Sequence, residues 1–140
     1  MPWIAETPWL CAGSVIDATD PLLGGHAPRT ADDWADVPMI LAASGIARAR
    51  VDAWFRDLGV TPRIYAQVAG NEAIVSMVSL GLGVGVVPQI VLDNSPLEAR
   101  VRVLDVQPAL APYELGLFTL RRNLNNPLVA AFWSLVDESG

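Results

Sequence analysis

The 140-residue sequence has no lysine; its nine basic residues are all arginine. We read that as base-composition bias of the source rather than as chemistry. Fifteen acidic residues leave a net charge of −6 and a pI near 4.5, which argues against nucleic-acid binding by this chain itself. A single cysteine, Cys11, excludes an intrachain disulfide and fits a reducing compartment. The single histidine, His26, lies between Gly25 and Pro28 in a stretch rich in Asp, Pro and Gly. With no second His or Cys beside it, it reads as a solvated loop residue rather than a ligand or base. No metal-ligand cluster and no convincing Ser-His-Asp set can be assembled. No carboxylate pair suggests a pocket, so a small-molecule binding module is favoured over an enzyme. Repeats and low-complexity tracts are lacking, and MPWIAETPWLC has neither a basic region nor the character of a signal peptide.

What the sequence has is apolar residues, 52% of the total and ample for one domain's core. The organising stretch is residues 71–88, NEAIVSMVSLGLGVGVVP. Between Glu72 and Asp93 no residue is charged, a run long enough to cross a bilayer. Its glycines, serines, proline and glutamine divide it, and a helix, a glycine turn and a buried strand explain it better. The GLGVG segment is not a phosphate loop, because its glycines follow the helix instead of preceding one.

Along the chain, residues 9–12 read as a strand ending at Gly13-Ser14, and residues 17–37 as loop with a helical turn near 31–34. A strand over 39–43 leads into a helix whose Ile46, Val51, Trp54, Phe55 and Leu58 face inward and which Gly59 stops. A strand over 63–68 precedes the central stretch, and a short helix begins at Gln89. Strands over 101–106 and 113–120 follow. The last helix has Asn126 as N-cap and Pro127 at its first position, and buries Leu128, Val129, Phe132, Trp133 and Val136. Strands alternating with helices predict an α/β fold with a mainly parallel sheet, which binds ligands beyond the carboxyl ends of its strands.

Two strand-to-helix corners stand out: Ser44-Gly45, and Ala69-Gly70-Asn71 followed by Glu72. Each sets small or polar residues at a helix N-terminus, where free N–H groups and the helix dipole favour an anion. If their strands are adjacent and parallel, both corners meet at one sheet edge and form a site for a small carboxylate or phosphate. The alternative is that Ser44 and Asn71 are only helix caps. Glu72 has three candidate roles: favouring the helix N-terminus, orienting a ligand hydroxyl, or simple solvation.

The segments VAGNEAIVSMVSLGLGVGVVP, ILAASGIARARVDAWFRDLGVTPRIYAQV and RVRVLDVQ, in this order and spacing, resemble the effector-binding domain of LysR-type transcriptional regulators. The endings PYELGLFTLRR and NPLVAAFWSLV bring the likeness nearest to the activators of isoleucine–valine synthesis, and it spans nearly all of residues 3–137. The resemblance implies a fold similar to type 2 periplasmic binding proteins, with a ligand between two α/β subdomains joined by crossing strands. Residues 14–103 would be a nearly complete second subdomain; residues 1–13 and 104–140 would be parts of the first. It also implies effector contacts at Ser44, Gly45, Ala69, Gly70 and Asn71, with Glu72 beside them. The effector would be a 2-hydroxy-2-keto carboxylate such as acetolactate or acetohydroxybutyrate. No metal or cofactor is implied. The family's helix-turn-helix is not in this sequence, so DNA binding is expected only through such a domain. Self-association and a cytoplasmic location without membrane contact complete the expectation. The competing readings are a small-carboxylate module of the same fold with another ligand or a transport role, and, more remotely, an enzyme.

Overall fold

The computed structural model describes residues 3–5, 9–19 and 28–139; His26 lies outside them. The strands are β1 (Trp3–Ala5), β2 (Trp9–Cys11), β3 (Gly13–Ala18), β4 (Pro38–Ala42), β5 (Arg63–Val68), β6 (Val84–Pro88), β7 (Val101–Leu104), β8 (Tyr113–Leu115) and β9 (Phe118–Leu120). The helices are α1 (Ala31–Ala35), α2 (Ile46–Leu58), α3 (Asn71–Ser79), α4 (Gln89–Asp93) and α5 (Pro127–Ser139). The chain divides into two compact units, Ala12–Pro112 and the pair Met1–Cys11 with Tyr113–Gly140.

The larger unit is built on a five-stranded sheet in the order β5-β4-β6-β3-β7. Strand β4 runs parallel to β5 and β6, whereas β3 is antiparallel to β6 and β7. Side-chain alternation along the strands assigns the two faces. Val15, Met39, Leu41, Val84 and Val86 join Trp34, Val51, Trp54 and Phe55 in one core layer. Ile16, Ile40 and Val87 join Ile74, Val75, Val78 and Leu92 in the other. Each large apolar side chain so buried contributes roughly 1.5–3 kcal/mol. Trp34, Trp54 and Phe55 meet edge to face, and the Trp54 indole N–H donates to the Pro108 carbonyl at 2.7 Å.

The uncharged run resolves as the sequence predicts. Helix α3 ends where the Gly81 and Leu82 amides donate back to Val78 and Met77, and β6 follows through the core. Among the described residues, no helix is long and apolar enough to cross a membrane.

Several expectations need correction. The strand over 9–12 ends at Cys11, and Gly13–Ala18 is a separate strand, β3, next to the centre of the five-stranded sheet. Asp17 hid it, since a carboxylate there looks like the start of a loop. Asp17 is fully buried, pairs with Arg102 at 3.0 Å, and accepts the Ala18 amide. Ile46 does not face inward; it is 75% exposed.

In the smaller unit, β1 pairs antiparallel with β9 and β2 with β8. The expected single strand over 113–120 is therefore two strands in two different sheets. Helix α5 begins as expected, with the Leu128 amide donating to Asn126 Oδ1 at 2.9 Å. Its expected buried face is not buried: Trp133 is, but Leu128 and Phe132 are 80% and 59% exposed.

Candidate functional site

Because β4 and β5 are adjacent and parallel, their carboxyl ends lie side by side. The Ala43 amide donates to the Val68 carbonyl at 2.9 Å, extending the ladder past β4 to the mouth of both corners. Helices α2 and α3 both start at this edge. The capping residues, however, are Gly45 and Gly70, not Ser44 and Asn71. Their φ values of +96° and +93°, with ψ of −173° and 142°, belong to a region that only glycine enters cheaply. No side chain caps either helix. The first-turn N–H groups, which have no partner inside a helix, are thus aimed out of both helix ends.

Ser44, Gly45, Ala69, Gly70 and Glu72 are exposed, and Asn71 is half-buried. The structure therefore brings together all six residues singled out from the sequence, at one edge of one sheet. Two oriented helix ends and a shell of small residues suit a compact anion. Glu72 works against that on charge; its carboxylate lies near Gly70, where an added Cβ would sit 3.5 Å from Oε2.

Arg48 braces the corners from behind. Its guanidinium donates to the Ala42 carbonyl at 2.8 Å, to Gln67 Oε1 at 2.7 Å and to Asp52 at 2.9 Å. The last residues of β4 and β5 and the first turns of α2 are so held in one register. The sequence suggested only the Arg48–Asp52 pair, since spacing within a helix is visible and a partner 19 residues away is not.

A third corner was missed. Strand β6 ends at the same edge, and Gln89 follows it directly. Its amide donates to the Ala12 carbonyl at 2.8 Å, its Nε2 to Asp93 at 2.7 Å, and its Oε1 accepts from the buried Ser14 hydroxyl. The signal was the VVP-Q junction, a third strand-to-helix corner in the same parallel set. Two clefts in this unit are lined by other residues, one by Arg29, Arg102 and Asp105 among others; of the six, Glu72 alone lines one of them. Among the described residues, no group of three His, Cys, Asp or Glu could hold a metal.

The sequence matches the family model of the LysR substrate binding domain over residues 6–140. The chain belongs to this family. LysR substrate-binding domains are sensing domains of transcriptional regulators rather than enzymes. The HTH-type transcriptional activator IlvY of Haemophilus influenzae (strain Rd) is 42% identical over 106 residues, 75% of this chain and 36% of that protein. The HTH-type transcriptional regulator IlvY of Escherichia coli (strain K12) is 44% identical over 107 residues, 74% of this chain and 36% of that one. The match thus spans little more than a third of these relatives. Among solved structures, the CcmR regulatory domain of Synechocystis PCC6803 in complex with 2-PG superposes with a TM-score of 0.81 at 18% identity, covering 97% of this chain and 66% of that one. The effector binding domain of QuiR in complex with shikimate gives 0.77 at 22%, covering 99% and 66%. The α/β fold of this chain is therefore that of LysR effector-binding domains, and its sequence is IlvY-like.

Proposed function

We propose that this LysR-family chain senses a small 2-hydroxy-2-keto carboxylate, acetolactate or acetohydroxybutyrate, for an IlvY-like activator of isoleucine–valine synthesis genes. The observation that carries the reading is the convergence of two uncapped helix N-termini at Gly45 and Gly70 on one sheet edge. The effector carboxylate takes the first-turn N–H groups, and Ser44 and Asn71 supply side-chain hydrogen bonds beside them. Gly45, Ala69 and Gly70 let the ligand approach the backbone. Residues 14–103 act as the second effector subdomain, and residues 1–13 and 104–140 belong to the first. The regulator works in the cytoplasm, self-associates, and meets DNA through a helix-turn-helix domain outside this sequence. The 42–44% identity to IlvY proteins supports this choice of effector over another small carboxylate.

A chimera tests the reading. This chain replaces the matching segment of the Escherichia coli IlvY protein, and a reporter gene reads activation. Activation by acetolactate but not by shikimate is the expected result. A chimera that binds its operator but ignores both 2-hydroxy-2-keto acids contradicts the reading.

A further inference from the structure

Glu72 also lines a second feature, an open cleft of about 430 Å³ between α3 and α4 with the turn that follows it. Its walls are Ser76, Ile90, Val91, Asn94, Ser95, Pro96 and Leu97. On α3, Glu72 and Ser76 stand one turn apart and face the cleft from the same side. Across from them, Ile90 is half exposed and Leu97 packs on the core layer beneath. Asn94 Nδ2 donates to the Ile90 carbonyl at 2.7 Å, and the Ser95 hydroxyl oxygen accepts from the Leu97 amide. The lining combines an apolar floor with the Ser76 and Ser95 hydroxyls, the Asn94 amide and one carboxylate.

Among the described residues of the lining, Glu72 is the only charged one. Its charge disfavours a carboxylate ligand and favours a cation over a neutral molecule of the same shape. We propose that this cleft is a binding site for a small aliphatic ammonium compound, its cation on Glu72 and its hydrocarbon on Ile90, Val91, Pro96 and Leu97. This second ligand has the opposite charge to the effector, and its cleft shares only Glu72 with the effector corner. It does not depend on the effector reading.

The test titrates 3-methylbutylamine into the ¹⁵N-labelled 140-residue chain while amide shifts are followed. The neutral isostere 3-methylbutanol and the anion 4-methylpentanoate serve as controls. The expected result is a saturable change in the millimolar range at Ser76, Val91, Asn94 and Leu97 with the amine alone. Glu72→Gln weakens it about two- to fivefold, and Ser76→Leu, which fills the cleft from an exposed helix position, abolishes it. No saturable shift at those amides, equal shifts with alcohol or anion, or undiminished amine binding in both folded variants would overturn the site.

Discussion

The amide of Ala43 and the carbonyl of Val68 are joined at 2.9 Å, a hydrogen bond that extends the parallel β4–β5 pairing by which two helix-starting corners lie side by side. The proposed anion site rests on that juxtaposition, and the choice of effector on the likeness to IlvY proteins. A lone helix N-terminus is common; two aimed at one point, each capped by a glycine in a conformation other residues avoid, call for a reason.

Gly70→Ala tests whether the backbone there is strained for other residues. An added Cβ meets nothing closer than Glu72 Oε2 at 3.5 Å, so the cost comes from φ +93° alone. We expect a loss of roughly 1–3 kcal/mol, read as a lower urea midpoint with an unchanged slope. An unchanged midpoint would mean that the corner relaxes at no cost.

Gly85→Ala probes the packing of α3 on β6. Here the added Cβ would lie 2.5 Å from Ile74 Cγ2 and 3.0 Å from Val78 Cγ2, both fully buried. Overpacking of about 1–3 kcal/mol is expected. Wild-type thermal stability in this variant would show that α3 can lift from the sheet.

The start of α1 carries a pH-dependent lock. Asp33 accepts the backbone amides of Arg29 and Thr30, while Thr30 Oγ1 accepts the Asp33 amide. The Arg29 and Thr30 bonds hold its carboxyl below the ordinary 3.8. A depressed value adds stability above the unfolded pKa, and that contribution is lost as pH falls through the folded value. Carboxyl carbon shifts should therefore give Asp33 a midpoint below 3.8, with α1 amide protection falling together with it; a midpoint at or above 3.8 would remove the lock.

Helix α5 presents Leu128, Phe132 and Leu135 to solvent, at 80, 59 and 61% exposure. Spaced four and three residues apart, they form one apolar stripe. The purified chain should associate, with a sedimentation coefficient that rises with concentration, and Phe132→Glu should reduce it. A compact monomer at every concentration contradicts the expected self-association.

The run from β4 to β6 was legible because each element there is decided by neighbours in sequence. Apolar alternation marks the strands, the Trp54–Phe55 spacing marks α2, and glycines mark the turns. Strand β3 was not legible. Its partners β6 and β7 lie far along the chain, and the charge of Asp17 is offset by Arg102, 85 residues away. The corners were found, but their capping residues were not: side-chain chemistry pointed to Ser44 and Asn71, whereas the sharp turn out of each strand demands glycine. The face of α5 was misjudged because its spacing shows that a stripe is apolar and says nothing about what covers it.

The central claim is that both corners hold the effector, and titration calorimetry on the IlvY chimera tests it most directly. Acetolactate is titrated into the parent chimera and into its Ser44→Ala and Asn71→Ala forms. Losing a hydrogen bond to a charged ligand costs roughly 1.5–3 kcal/mol, so each variant should bind at least about tenfold more weakly while retaining operator binding. Unchanged acetolactate affinity in both variants would contradict the account.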